Sequence, residues 1–225
     1  MSSGSSKPRE KNAIADRAVG MAIFNTTVLT FLLAINSVPS WVDLLFPVFA
    51  SLYVYIMSRV AFPKPGPKSV GGWEFPGAGY LPGYVFFAAI IGLYLPLLQI
   101  IISYVTGDQT TVRESAPHLF VLCAQVLTEN LTFSSDSVAL PLKGLIPVLY
   151  NARRLVNLQT WAVAVFNAEL SSNVSFASSA WAIFGRSLVV INVIHWHFNL
   201  WCFLLPFYVP WTLQTHFKGL NTHVE

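Results

Sequence analysis

The sequence predicts an all-α membrane protein, a helical bundle of about five transmembrane helices with one interfacial amphipathic helix. Three stretches, 18–42, 75–107 and 187–217, contain no Asp, Glu, Lys or Arg. Each is longer than the roughly 20 apolar residues with which a helix crosses a bilayer. In the whole chain 54% of the residues are hydrophobic and only 10% are charged. Helices of a soluble domain need a polar face, so this composition excludes a soluble globular protein.

The chain has room for four to six helices and therefore for a single domain. We predict one transmembrane domain over residues 18–217, preceded by a disordered tail, 1–17, and followed by a short tail, 218–225. A segment rich in Pro and Gly, 62–83, is predicted to be a loop because neither helix nor strand tolerates that composition. The predicted spans are 18–35, 42–62, 84–105, 117–133 and 188–210.

The distribution of Lys and Arg favours five spans over four. Cytoplasmic loops of membrane proteins carry an excess of basic residues. With five spans and an inner N-terminus, all but Arg113 and Lys218 of the 13 Lys and Arg residues lie on the inner side. A four-span arrangement leaves more of them outside. The span 117–133 is therefore included, although it is short.

Residues 144–168 form the predicted interfacial amphipathic helix. Two adjacent arginines, Arg153 and Arg154, occupy its middle, and two such residues at the centre of a span would cost about 5–7 kcal/mol on an insertion scale. The polar sector of this helix contains Tyr150, Arg153, Arg154, Asn157 and Trp161. The opposite, apolar sector contains Leu145, Leu149, Ala152, Val156 and Val163. This pattern is typical of a helix that lies on a membrane, which makes the arginine pair a candidate lipid-binding or partner-binding site.

Two polar stripes lie within predicted spans. Residues at helical spacing on one side of a helix form a stripe, and ionisable groups at membrane depth usually face a bundle interior or a cavity. The candidate intramembrane polar site consists of His118, Gln125, Glu129, Asn192, His195 and Asn199. One interpretation is a polar lining that handles protons or cations. The other is that the amides hydrogen-bond neighbouring helices and that the ends of the short span lie at the headgroups.

No residue pattern in the chain predicts catalysis, a metal or another cofactor. The sequence lacks the nucleophile-elbow, P-loop and zinc-protease motifs. His195 and His197 are two residues apart and would point to nearly opposite sides of a helix, so they cannot chelate one metal together. A haem between His118 and His195 has no supporting motif. The net charge of +3 is small and dispersed, which argues against nucleic acid as a partner.

Three segments of the C-terminal half resemble the shared blocks of a known family. They read PHLFVLCAQVLTENL at 117–131, PVLYNARRL at 147–155 and NLWCFLLPFYVPWTL at 199–213. They are similar to a plant family of uncharacterised multi-pass transmembrane proteins, known only as a domain of unknown function. YNARRL is the most distinctive part. The resemblance implies a plant membrane protein and supplies no catalytic residue.

Two functions remain open at this point. The first is a non-enzymatic scaffold, assembly factor or accessory subunit, whose partners are the lipid bilayer and other membrane proteins. The second is a small oligomeric transporter or channel, built from copies of the chain, with a polar intramembrane site. Transit peptides are poor in acidic residues, and Glu10 and Asp16 precede the first span. We therefore expect an endomembrane or plasma-membrane location rather than a plastid.

Overall fold

The computed structural model describes residues 6–35, 40–62, 79–133, 135, 138–167 and 176–221. Within these residues the chain forms six helices and no strand, which confirms the predicted all-α bundle. The helices are α1 Ser6–Ala34, α2 Trp41–Val60, α3 81–106, α4 Gln109–Phe133, α5 Leu140–Asn167 and α6 176–221. Helices α3 and α6 are each continuous but contain a π-helical stretch, Ile90–Tyr94 and Asn199–Tyr208 respectively.

Three of these helices are long and apolar enough to cross a membrane. They are Trp41–Val60, Pro82–Thr106 and Ala180–Gly219, and α1 adds a shorter apolar part, Val19–Ala34. Their outer surfaces are also apolar, since Phe49 of α2 is 63% exposed. A bilayer solvates such apolar surfaces, whereas their exposure to water is unfavourable. The predicted membrane nature of the chain agrees with these features.

The helices extend further toward both ends of the chain than predicted. Helix α1 begins at Ser6, so most of the segment 1–17 is helical rather than a disordered tail. This segment contains Lys, Arg, Glu and Ala, all of which are good helix formers. At the other end α6 continues to Asn221, into the predicted tail 218–225. Most of the predicted loop 62–83 lies outside the described residues.

Helix α5 occupies the middle of the bundle. It packs against α4 and α6 on its two sides, while α2 covers part of its surface. Helix α4 in turn packs against α1, α2 and α3. Fully buried side chains of these two central helices, among them Leu119, Ile146 and Leu158, form one continuous core.

The two sectors of α5 are those that the sequence predicted, but they face the opposite way. Tyr150, Arg154 and Trp161 of the polar sector are fully buried inside the bundle. Val156 and Val163 of the apolar sector are half exposed on its outside. The helix predicted at the membrane surface over 144–168 is therefore an inner helix. Periodicity shows that a helix has two faces, but only the neighbouring helices decide which face is covered.

A buried ion pair holds the start of α2 against α5. Asp43 is only 2% exposed, and its Oδ1 accepts hydrogen bonds from Arg153 Nε at 2.8 Å and from Asn157 Nδ2 at 2.9 Å. Its Oδ2 accepts one from the Ser40 hydroxyl at 2.7 Å. The Ser40 Oγ also accepts from the backbone N–H of Asp43 and so caps the helix. One carboxylate thus links the helix cap to the central helix.

We expect Gly92→Ala to destabilise the protein. A Cβ at this position would lie 2.7 Å from Cζ2 of Trp196, and this rigid ring can yield only by moving within the core. Overpacking of this kind costs about 1–3 kcal/mol. A matched control is Gly83→Ala on the same helix, where a Cβ meets no atom within 4 Å. Thermal unfolding in detergent should show a lower Tm for Gly92→Ala only; equal Tm values for both variants would contradict the packing described.

The Asp43–Arg153 pair is testable by a double-mutant cycle. Asp43→Asn and Arg153→Gln should each lower the stability, and the double variant should lose less than the sum of both. We expect a coupling energy of about 1–3 kcal/mol, the upper range for residues in direct contact. Thermal or chemical unfolding of the four proteins in the same detergent measures it. Additive effects would mean that the pair does not form.

Candidate functional site

Trp196 of α6 lies at the centre of a cluster of polar side chains. Its ring is 4.8 Å from that of His195 and 6.3 Å from that of His118, measured between ring centroids. Its indole Nε1 donates a hydrogen bond to Asn192 Oδ1 at 3.1 Å. The backbone carbonyl of Trp196 accepts one from Asn151 Nδ2 of α5 at 3.2 Å. The indole N–H and the backbone carbonyl of Trp196 thus both have hydrogen-bond partners inside the protein.

Arg154 lies against the same ring and is fully buried. Its Cζ is 3.9 Å from the centroid of the Trp196 ring, a cation–π contact that gains strength when both groups are desolvated. The Arg154 Nη2 donates to Gln125 Oε1 of α4. Gln125 Nε2 then donates to Glu129 Oε1 at 2.7 Å. A chain of hydrogen bonds therefore connects a buried cation on α5 with a carboxyl group on α4.

This position differs from the one predicted for the arginine pair. Arg154 was expected near lipid headgroups, but none of its side chain is exposed. Arg153 points to the cluster at Asp43 instead, so the two neighbours belong to two different sites. Adjacent residues on a helix differ by about 100° in direction, which separates them once both sides of α5 are covered.

The π-helical stretch of α3 supplies two carbonyl groups to the cluster. His118 Nε2 donates to the carbonyl of Gly92 at 3.0 Å, so this nitrogen carries the hydrogen. Asn192 Nδ2 donates to the carbonyl of Ile91 at 2.8 Å. A π-helical turn shifts the backbone hydrogen-bond pattern, and π-helical segments are frequent at functional sites. Side chains of α4 and α6 thus donate hydrogen bonds to the π-helical part of α3, which is wider than an α-helix.

The second π-helical stretch begins at the edge of the same cluster. Asn199, its first residue, accepts a hydrogen bond from the Tyr84 hydroxyl of α3 at 2.8 Å. The ring of Tyr84 is 5.5 Å from that of His195. All six predicted polar residues thus lie in one connected region, which joins α3, α4, α5 and α6. That they have a functional role remains a prediction.

Three aromatic residues of this region were not among the site residues predicted from the sequence. Trp196 is its centre, Tyr84 bonds Asn199, and the ring of Trp161 stacks on His118 at 6.0 Å. Tryptophan in membrane proteins usually lies at the bilayer surface, whereas Trp196 lies within the long apolar stretch of α6. Trp196 follows Asn192 by four residues and so lies on the same face of the helix. This spacing could have indicated from the sequence that Trp196 belongs to the polar cluster.

Several buried polar atoms around Trp196 have no hydrogen-bond partner among the described residues. Buried polar atoms in proteins normally bond to another group or to an ordered water. The region therefore offers both donors and acceptors to a water molecule or to a polar group of a ligand. The atoms are Nε and Nη1 of Arg154, Nδ1 of His118, Nε2 of His195 and Oδ1 of Asn151.

An open cleft of about 560 Å³ lies beside this cluster. Ligand pockets commonly have about 300–1,000 Å³ and mainly apolar walls with few polar groups. Trp196 lines the cleft, and most of its remaining wall is aliphatic or aromatic. Glu129 and Gln125, the outer members of the hydrogen-bond chain, place an amide and a carboxyl group in this wall. The apolar residues of the wall include Val85, Ala88, Leu93, Leu122, Phe133, Phe203 and Leu204.

Among the described residues, no group of three or more His, Cys, Asp or Glu side chains could hold a metal ion. Cys123 is buried and Cys202 is exposed, and both are free thiols. The prediction that the protein needs no metal or other cofactor therefore stays a prediction.

Comparison with known proteins identifies a family but no relative of established activity. Curated proteins and solved structures gave no match. Residues 20–217 match a family described as "Domain of unknown function (DUF7733)". This range contains every residue that we assign to the cluster and the cleft, so the site lies wholly within the matched domain. The chain therefore belongs to the DUF7733 family.

Proposed function

We propose that this protein is a multi-pass integral membrane protein that binds a small, largely apolar molecule in the cleft and carries it through the membrane. The observation that carries the proposal is the chain from Arg154 through Gln125 to Glu129, which ends in the wall of the cleft. Arginine and glutamate are costly inside a membrane and mark substrate pathways more often than not. In this proposal the protein is not an enzyme and uses no cofactor.

The wall of the cleft suggests the class of molecule. Its apolar residues would contact an apolar body, while the Glu129 carboxyl would accept a hydrogen bond from a donor group of the ligand. Tyr84, also in the wall, donates its own hydrogen to Asn199 and keeps an oxygen lone pair for a ligand. Two acceptors in one place favour a cationic or hydrogen-donating ligand, such as an amine, over an anion.

The bundle supports several crossings of the membrane. Helices α4 and α5 are less apolar than the three clear spans, but polar side chains at their middle face inward, since His118 of α4 and Arg154 of α5 are fully buried. This is how transmembrane helices hide polar groups. We place the protein in an endomembrane or the plasma membrane, and the resemblance of its C-terminal blocks suggests a plant origin.

A scaffold or accessory subunit is the second candidate. It is favoured by the contacts of Arg154 with Trp196 and Gln125, which link three helices through side chains of the protein itself, as a structural network would. The arginine pair predicted to bind lipids or partners is less suited to docking, because Arg154 is buried and Arg153 pairs with Asp43. Purification in mild detergent separates the candidates, because a stoichiometric partner favours the scaffold and a homo-oligomer favours the transporter.

Blocking the cleft should abolish ligand binding. Ala88 is half buried in the cleft wall, and Ala88→Phe would fill part of the volume. We would titrate the purified protein with three probes of one shape, phenethylamine, phenethyl alcohol and phenylacetate, and follow the Tm, which rises when a ligand binds the folded state. The amine should give the largest rise, and Ala88→Phe should remove it.

The matched control is Ala152→Phe. Ala152 lies on the exposed face of α5 and does not line the cleft, so this variant should keep the response to the amine. An equal response in all three proteins, or a preference for phenylacetate, would contradict the proposed site.

Glu129→Gln should weaken the binding of the amine by about tenfold, since a hydrogen bond to a charged group contributes about 1.5–3 kcal/mol. Combined with His195→Ala, it should abolish transport in proteoliposomes if the protein is a transporter. In a scaffold the same pair would change only the stability. Glu114→Gln is the control, because Glu114 lies on the same helix but lines a different, smaller cavity at Asp43. An equally large loss of amine binding in Glu114→Gln would argue against a specific role of Glu129.

A further inference from the structure

A second cavity lies between α2 and α4, near the ends at which both helices stop. It has a volume of about 520 Å³. Residues of α2 line one side and residues of α4 the other, and Ser135 and Val138, which follow α4 in the chain, complete the lining. It shares no lining residue with the cleft at Glu129. The inference drawn from it is therefore independent of the proposed function.

The lining combines one cation with hydroxyl groups and contains no carboxyl group among the described residues. The cation is Arg59, which is exposed. Its guanidinium lies 5.4 Å from the centroid of the Tyr55 ring, and among the described residues no carboxylate pairs with it. The hydroxyl groups belong to Ser51, Tyr55, Ser58, Thr128, Thr132 and Ser135. A cation that none of the described carboxylates neutralises favours an anionic ligand in a polar cavity.

Arginine suits one class of anion above others. Its planar guanidinium presents several N–H donors in a fork that matches the oxygens of a phosphate group. The ring of Tyr55 restricts the guanidinium to one region of the cavity. A phosphate group fits a volume of this size with room for a glycerol or similar substituent.

The surroundings of the cavity favour a lipid phosphate over a free ion. Leu131 lines the cavity and is 76% exposed, so apolar surface continues from the polar cavity along the outside of the bundle. In sequence α2 is followed by Lys64 and Lys68, and Lys143 lies near the start of α5. The distribution of basic residues places this end on the inner side, where anionic lipids are concentrated.

We infer that the cavity at Arg59 binds the phosphate of an anionic phospholipid from the inner leaflet. In this arrangement Arg59 contacts the phosphate, the hydroxyl groups surround the polar headgroup, and an acyl chain follows the apolar surface beyond Leu131. Binding would tie α2 to α4 at their common end. The interaction is a specific headgroup contact, distinct from general attraction to a charged membrane.

The test uses the full-length protein in a neutral detergent, so that single lipid molecules are counted. Phosphatidylglycerol and phosphatidylcholine are added in parallel, and native mass spectrometry records how many molecules of each remain bound. We expect one tightly held phosphatidylglycerol on the wild-type protein. Arg59→Gln should weaken it by about fivefold or more, the effect of one basic residue at an anionic surface, and Arg59→Lys should keep part of it.

Arg113→Gln is the matched control, because Arg113 is also an exposed arginine of the bundle but lies at the opposite end of α4. This variant should retain phosphatidylglycerol like the wild type. Equal loss in the two glutamine variants, or equal retention of both lipids, would overturn the inference. Competition by millimolar inorganic phosphate would show that the cavity binds a free anion instead. Because Arg59 is exposed, its replacement should leave the helical content unchanged, which circular dichroism checks.

Discussion

The burial of one arginine constrains the arrangement of the inner helices. A guanidinium inside a bundle loses its hydration, and this cost is offset only by well-placed partners. Arg154 on α5 finds them in the ring of Trp196 on α6 and in Gln125 on α4. These three helices therefore cannot slide or rotate against one another without exposing an uncompensated charge. The same contacts decide which face of α5 lies inside.

The remaining polar contacts extend this arrangement to α3. Its π-helical stretch offers the carbonyl groups of Ile91 and Gly92 to side chains of α6 and α4. The absence of a side chain at Gly92 lets the Trp196 ring approach the backbone closely. A change in the packing of α3 would thus reach Arg154 through one indole ring. Because Trp196 also lines the cleft, such a change would alter the shape of the cleft wall.

Two ends of the bundle carry two different polar clusters. At one end Asp43 joins the start of α2 to Arg153 of α5. At the other end Arg59 stands in a cavity without an acidic neighbour among the described residues. In the first cluster the charges of Asp43 and Arg153 compensate each other, so it needs no ligand. In the second, no described carboxylate compensates the charge of Arg59, which is therefore available to an anion. This contrast separates the ion pair, which we regard as structural, from the cavity at Arg59.

Much of the fold was predictable because it depends on local properties of the chain. Long stretches without charge identify spans, and periodicity divides α5 into two sectors, since both follow from the geometry of a single helix. The start of α1 was predicted too late in the chain, because the charged residues and serines of this segment suggested disorder. Its Lys, Arg, Glu and Ala residues nevertheless favour a helix. The six polar residues of the site were found for a similar reason, as stripes on α4 and α6.

The sequence by itself determined the helical class, the long apolar helices that suggest membrane association, and the polar stripes. Only the tertiary structure decided that Arg154 is buried while Arg153 pairs with Asp43, and that Trp196 links residues from four helices. Such choices depend on contacts between segments far apart in the chain. An arginine in a helix can lie at a membrane surface or within a bundle with equal local propensity. The partners on neighbouring helices decide between the two, because they alone compensate the lost hydration of the charge.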